Sequence, residues 1–195
     1  MKIIAITGGI GSGKSVVSQL LRTMGHHVYD CDERAKYVMT HDAQLRAELT
    51  ALFGPEAYLP ADDGSLQLNK PYLSARIFGD ATLLAQMNAC VHPAVARDIR
   101  RQMAAHPSLD RFYYESAILF EADFDKLVMP DEVWTVSAPL ETRIQRAMLR
   151  DRASRERILS RIASQLPQEA KEQRADHIIV NDDRHSVIAQ VRKLC

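Results

Sequence analysis

Short apolar runs rich in β-branched residues alternate along the chain with longer stretches of helical periodicity. Ile3-Ile4-Ala5-Ile6 is apolar at every position, the pattern of a strand buried on both faces. Val17, Leu20, Leu21 and Met24 then recur at helical spacing, and Gly25 is placed to end that helix. Residues 27–32 read as a second strand, whose alternation puts Asp30 and Asp32 on one side and Cys31 on the other. Asp32 also stands where it could cap a helix opening at Arg34-Ala35-Lys36. Residues 33–53 carry a helical pattern, and Gly54-Pro55 and Asp62-Asp63-Gly64 mark a loop. Helical periodicity resumes over 69–105, with a break or kink expected at His92-Pro93. Three more strands follow at 112–115, 133–136 and 178–180, and Val187, Ile188, Val191 and Leu194 line a last helix.

Strands alternating with helices predict an α/β fold, a parallel five-stranded sheet flanked by helices. In such sheets the carboxyl ends of the strands share one edge, where ligands bind. That rule gathers the segment after the first strand, Asp30, Asp32, Glu115 and Asn181. The helical stretch between the second and third strands is too long for a simple crossover, which predicts a helical substrate-binding insertion. The domain reading is a single domain over 1–195, with a core of 1–32, 108–138 and 175–195, an insertion at 33–107 and a lid at 139–174.

Between the first strand and its helix stands Gly8-Gly9-Ile10-Gly11-Ser12-Gly13-Lys14-Ser15, which matches the phosphate-binding pattern G-x-x-x-x-G-K-[ST] in full. Glycines let the backbone curl so that successive N–H groups face an anion, and the helix N-terminus adds its dipole. Lys14 can reach β- and γ-phosphates, and the Ser15 hydroxyl can hold Mg²⁺. A glycine-rich turn could match by chance, but strand, loop and helix occur in the order the chemistry requires. The stretch reads as a nucleoside triphosphate site.

Composition changes the picture mainly by exclusion. In 195 residues, 46% are hydrophobic and 26% charged, which is ordinary for a globular chain. Lys plus Arg equals Asp plus Glu at 25 each, so no basic field recruits nucleic acid or an anionic membrane. No apolar run approaches the ~20 residues needed to span a bilayer, and with a strand pattern starting at the given N-terminus no signal peptide is expected. Cys31, Cys90 and Cys195 are an odd number without metal-ligand spacing. Reduced thiols and a nucleotide site lead to the expectation of a cytoplasmic protein with no obligate protein partner.

Arg143, Arg146, Arg150, Arg152, Arg155, Arg157 and Arg161 crowd one short stretch. On a helix, Leu140, Ile144, Ala147 and Met148 would form an apolar stripe, with Arg143, Arg146 and Arg150 on a neighbouring face. A solvated basic face paired with Glu141, Asp151 and Glu156 explains any one of them. The cluster favours a lid that neutralises a transferring phosphoryl group and excludes water.

The ordered set of motifs resembles dephospho-CoA kinase over nearly the whole chain. It comprises the segment from Thr7 to Ser15, Asp30-Cys31-Asp32, Asn88 with Val91-His92-Pro93, and Leu119-Phe120-Glu121. It continues with Arg146 and Arg150-Asp151, Arg161-Ile162 with Gln165, and Ala175-Asp176 with Ile179 and Asn181. The resemblance implies a P-loop nucleoside-triphosphate-hydrolase-like core, a helical acceptor domain and a lid. It also implies transfer of the γ-phosphoryl of ATP to the ribose 3′-hydroxyl of dephospho-CoA, the last step of coenzyme A synthesis. Gly9, Gly11, Ser12, Gly13, Lys14, Ser15, Val16 and Asn181 are then expected to bind ATP, with Lys14, Asp32, Arg146 and Arg150 catalytic. Asp32 would take the proton of the acceptor hydroxyl, His92 and Asp32 would contact the acceptor, and Ser15 with Glu115 would hold Mg²⁺. Val16 stands where the family often has Thr, Glu115 where it usually has Asp, and Arg143 where Gln is more usual. Ser116-Ala117-Ile118 replaces a more apolar, proline-containing run. None of these departures removes a charge the reaction needs. A P-loop kinase with another small acceptor, such as a nucleoside monophosphate, is the neighbouring reading. A nucleotide-dependent switch is the rival from another class.

Overall fold

The computed structural model describes residues 1–62 and 64–195. The chain opens with β1 (Lys2–Thr7), α1 (Lys14–Thr23) and β2 (Val28–Asp30). Next come α2 (Cys31–His41), α3 (Ala43–Phe53), β3 (Tyr58–Pro60), β4 (Leu66–Leu68), α4 (Lys70–Ile77) and α5 (Ala81–Ala105). Then β5 (Arg111–Glu115), α6 (Phe124–Val128), β6 (Glu132–Ser137) and α7 (Leu140–Asp151) follow in turn. The remaining elements are α8 (Arg155–Ala163), α9 (Gln168–Gln173), β7 (His177–Val180) and α10 (Val187–Leu194). They form two compact units, one of Met1–Asp30 with His106–Cys195 and one of Cys31–Ala105.

The first unit is built on a parallel five-stranded sheet in the order β2-β5-β1-β6-β7. The central β1 is apolar because both of its faces are covered, and Ile4, Ala5 and Ile6 have no exposed surface. On one face Ile4, Ile6, Tyr113, Trp134, Val136 and Ile179 pack with Val17 and Leu21 of α1 and Val191 of α10. Each such side chain contributes roughly 1.5–3 kcal/mol on burial, so this layer fixes where the strands end. A smaller cluster joins Ile10 to Ile144, Ala147 and Ile158, anchoring the segment after β1 to α7 and α8.

The second unit is helical, with α2, α3 and α5 packed on one another. Val38, Leu45, Leu49, Phe53 and Ile99 are among its buried side chains of helical origin. The Arg34 guanidinium forks onto Asp98 at 2.8 and 3.0 Å, which supplies the buried Asp98 carboxylate with a charged partner. Asp42 caps α3 by accepting from Leu45 N at 2.9 Å.

Several expectations from the sequence need correction. The second strand stops at Asp30, and Asp32 lies in the first turn of α2 rather than on a pleat beside Asp30. The ladder with β5 runs out at Asp30↔Glu115, and acidic residues at 32 and 33 favour a helix N-terminus instead. The helical stretch 33–53 is two helices, divided at the Asp42 cap. The break expected at His92-Pro93 is absent from the described residues, because α5 runs through Pro93. Burial of Val91, Ala94, Val95 and Ile99 around it offsets the roughly 3 kcal/mol an interior proline costs. The interruption falls instead at Gly79, whose φ of 80° only glycine adopts freely. An antiparallel hairpin of β3 and β4 was not expected. Of the turn expected at Asp62-Asp63-Gly64, Asp63 lies outside the described residues. Arg143 is buried, not on an exposed face with Arg146 and Arg150.

Candidate active site

The loop between β1 and α1 has a geometry that its glycines alone permit. Gly11 and Gly13 have φ of 76° and 96°, in the left-handed region. A Cβ on Gly9 would strike the Arg143 guanidinium, and one on Gly13 the Asn181 side-chain amide. Ser12 N donates to Gly9 O at 3.1 Å, closing the turn. Lys14 is the first residue of α1, and its Nζ donates to Gly8 O at 2.9 Å and Gly9 O at 3.4 Å. Gly13 occupies the N-cap without a side-chain bond, so the positive end of α1 is offered to an anion. Ser15 and Val16 follow in that opening turn, both exposed, and Ser12 is buried behind the loop.

Two carboxylates end neighbouring strands. Asp30 of β2 and Glu115 of β5 are register partners, so their side chains leave the sheet on the same face. Glu115 accepts from Ser18 Oγ at 2.5 Å, which puts its carboxylate on the α1 side. Ser18 lies one turn beyond Ser15 on α1, so Ser15 and Glu115 belong to one side of the sheet. Hydroxyl and carboxylate are hard oxygen donors suited to Mg²⁺, which keeps several waters and takes the rest of its ligands from substrate phosphates. Among the described residues no three His, Cys, Asp or Glu side chains group as a protein-only metal cage, and a phosphate-borne Mg²⁺ needs none. The residues present fit the ion.

Asn181 and the arginines of α7 frame the other side of the loop. Asn181 Nδ2 donates to Ser12 O at 2.8 Å, and Asn181 N to Ser137 O at 2.7 Å. Arg146 donates to Asn181 O at 3.0 Å and to Asp183 Oδ1 at 2.6 Å, tying α7 to the segment after β7. Arg150 forks onto Asp151 at 2.7 and 3.1 Å, and Asp151 also accepts from Arg161 at 2.5 Å. Arg150, with Arg161 behind it, holds the Asp151 carboxyl down to about 2. Burial pulls the Arg143 guanidinium below its ordinary range, and its Nε donates to Ile10 O at 3.1 Å. The run of arginines therefore divides: Arg143 is structural, Arg155 pairs with Glu141, and Arg146 and Arg150 stay partly or largely exposed.

Asp32 and His92 belong to the helical unit. Asp32 is exposed in the first turn of α2, and His92 is half-buried on α5, where burial lowers its pKa. The first unit thus brings together the loop, Asp30, Glu115, Asn181, Arg146 and Arg150. Contacts that no local pattern announced come from Gln165 and Gln168, which accept from Ile10 N at 2.9 Å and Gly9 N at 3.2 Å. These partners are separated by more than 150 positions, so spacing along the chain carries no trace of them.

Comparison with known proteins adds a family. The dephospho-CoA kinase family model matches residues 2–186. A dephospho-CoA kinase of Bacteroides fragilis is 43% identical over 191 residues, covering 98% of this chain and 90% of that protein. Its counterpart from Porphyromonas gingivalis is 41% identical over 195 residues, covering 100% and 93%. A crystal structure from Thermus thermophilus superposes with a TM-score of 0.80 at 33% identity, over 99% of this chain and 95% of that one. At 14% identity, a shikimate kinase of Acinetobacter baumannii shares the fold, with a TM-score of 0.54 over 100% and 90% of the two chains.

Proposed function

The chain belongs to the dephospho-CoA kinase family, and from that premise we propose how its residues divide the work of phosphoryl transfer. The protein is an ATP-dependent kinase that moves the γ-phosphoryl group of ATP to the ribose 3′-hydroxyl of dephospho-CoA, the final step of coenzyme A biosynthesis. ATP acts with a divalent metal, as in kinases generally, and we take that metal to be Mg²⁺, held by Ser15 and Glu115. Bound there, it would offset the negative charge of the phosphates during transfer.

In our reading Gly9, Gly11, Ser12, Gly13, Lys14, Ser15 and Val16 form the triphosphate site, Gly9 through the turn it makes, since its N–H is held outward by Gln168. The Lys14 ammonium, steadied by the Gly8 and Gly9 carbonyls, meets the β- and γ-phosphates. Asn181 fixes the loop through Ser12, and with Arg146 it borders the rest of the nucleotide. Arg150 exchanges Asp151 for the transferring group, where charge spreads over equatorial oxygens. Residues 139–174 serve as a lid, the helical unit receives dephospho-CoA, and His92 contacts it. Asp32 accepts the proton of the attacking hydroxyl in line with the departing ADP. We further infer a cytoplasmic enzyme acting on soluble ligands, without nucleic acid. Among the described residues no helix is long and apolar enough to cross a membrane.

The observation that carries this reading is the gripped glycine loop with Lys14 at the head of α1. Asp32 is its most exposed assignment, because a residue in a first helical turn could act on the helix alone. Asp32→Asn keeps the shape and an accepting oxygen but loses the proton acceptor. The folded variant is expected to bind ATP and dephospho-CoA and to transfer phosphate at least ~100-fold more slowly. Asp30→Asn should cost less. Wild-type turnover by a less stable Asp32→Asn protein would make the aspartate a helix-end charge only. Equal losses at both positions would assign a shared electrostatic role.

A further inference from the structure

Two consecutive peptides of the phosphate loop are gripped from opposite sides. In the Gly8–Gly9 peptide the carbonyl accepts from Lys14 Nζ at 2.9 Å, while the N–H donates to Gln168 Oε1 at 3.2 Å. In the Gly9–Ile10 peptide the carbonyl accepts from Ser12 N at 3.1 Å and Lys14 Nζ at 3.4 Å. The N–H of that peptide donates to Gln165 Oε1 at 2.9 Å. A trans peptide is planar, with its C=O and N–H on opposite sides. Whatever holds the N–H therefore aims the carbonyl.

We propose that Gln165 and Gln168 are positioning residues for Lys14. By holding Gly9 and Ile10 N–H on the outer side of the loop, they aim the two carbonyls on which the Lys14 ammonium rests. This rests on the reading of Lys14 as the residue that meets the nucleotide phosphates.

Both glutamines are themselves fixed. Gln168 is buried, and its Nε2 donates to Glu172 Oε1 at 3.1 Å and Val136 O at 3.4 Å. Those acceptors leave only its Oε1 for Gly9, so the amide has one workable orientation. Glu172 is held in turn by Ser137 Oγ at 2.5 Å. Between the glutamines, Leu166 N donates to Glu121 Oε1 at 3.0 Å. The same carboxylate takes Lys171 Nζ at 2.6 Å, on a side chain with no exposed surface. The turn from α8 to α9 is thus pinned at both ends before it touches the loop. A cleft of about 720 Å³ is lined by Gln165, Gln168, Arg143 and Glu172 among others, which leaves room for altered side chains.

A purely structural role would alter stability and leave the folded enzyme's constants alone, so the test reads constants. Gln165→Met and Gln168→Met keep bulk and remove the acceptor; Gln165→Glu keeps an acceptor oxygen. The double methionine variant is expected to lose ~10–100-fold in kcat/KM for ATP, as small misplacements of reacting groups do. Its KM for dephospho-CoA should stay unchanged, and Gln165→Glu should keep most of the wild-type value. In a Lys14→Ala background the same pair of substitutions should leave the Kd for ATP where Lys14→Ala alone puts it, because residues acting through one group are not additive. A folded double variant with wild-type kcat/KM for ATP would overturn the proposal. So would an equal loss of ATP affinity with and without Lys14, which would mean that the glutamines support the loop at large. If the double variant does not fold, Gln165→Met alone, at the half-buried position, is judged by the same criteria. An active Lys14→Ala enzyme would instead refute the assignment of Lys14, an outcome separate from either of these.

Discussion

The phosphate loop and the arginine-bearing helix α7 are neighbours in one unit and are built in opposite ways. The loop works through backbone: its peptides are turned by left-handed glycines and held by Gln165, Gln168, Arg143 and Asn181. Its single long side chain, Lys14, lies folded on carbonyls of the same loop. Helix α7 works through side chains, and those we assign to catalysis are paired with carboxylates: Arg146 with Asp183, Arg150 with Asp151. A preset backbone needs no rearrangement to meet an anion, whereas a paired arginine must exchange one anion for another. The loop, Lys14 included, should therefore govern both the holding of ATP and the transfer itself, and α7 only how fast the phosphoryl group leaves.

The sharpest way to break this contrast is Lys14→Ala. Its fold should survive, since Lys14 is outside the apolar core, while turnover should fall by roughly 10³-fold or more, because the ammonium acts on charge that moves in transfer. Near-normal ADP formation by the folded variant would remove the loop from the centre of the account.

Arg150→Ala comes next. A charge-assisted hydrogen bond is worth about 1.5–3 kcal/mol, so a contact made mainly in the transition state should cost roughly 10–100-fold in kcat with little change in ATP affinity. Arg146→Ala should also lower turnover more than ATP binding, with a further loss of affinity through Asn181. Poor ATP binding with normal saturated turnover in both variants would make the arginines ground-state anchors and erase the contrast.

The smallest effect is expected at Asp151. Its carboxyl is held at about 2 by Arg150 and Arg161, below the ordinary value, so the pairing stabilises the fold above the usual aspartate range. That contribution is lost as pH falls from about 4 toward 2. Because Arg150 is 60% exposed, the pair is worth under about 1 kcal/mol. Melting curves of Asp151→Asn and wild type should differ slightly at neutral pH and converge at the acid end. A larger gap at low pH would contradict the pairing.

What could be read from the sequence follows the same division. The strand, glycine loop and helix were legible because backbone chemistry constrains residue type at fixed local spacing, and Gly11 and Gly13 tolerate no substitute. The parallel sheet was legible because β1 has no polar face. Arg143 was misplaced among exposed arginines because burial of a guanidinium depends on Ile10 and Gly9, far away in the chain. The α5 break was misplaced because helix-breaking by Pro93 is a local rule that tertiary burial overrides. Gln165 stands within a motif that points to no partner for it, and Gln168 leaves no local signal at all.

The most direct test of the central claim is acceptor-dependent ADP formation from ATP and Mg²⁺, with the product mapped by ³¹P NMR. Dephospho-CoA should raise ADP release far above the rate without acceptor and gain a single phosphate on its ribose 3′-hydroxyl. A nucleoside monophosphate should raise it little. ADP release that ignores dephospho-CoA, or follows the nucleoside monophosphate instead, would contradict the account.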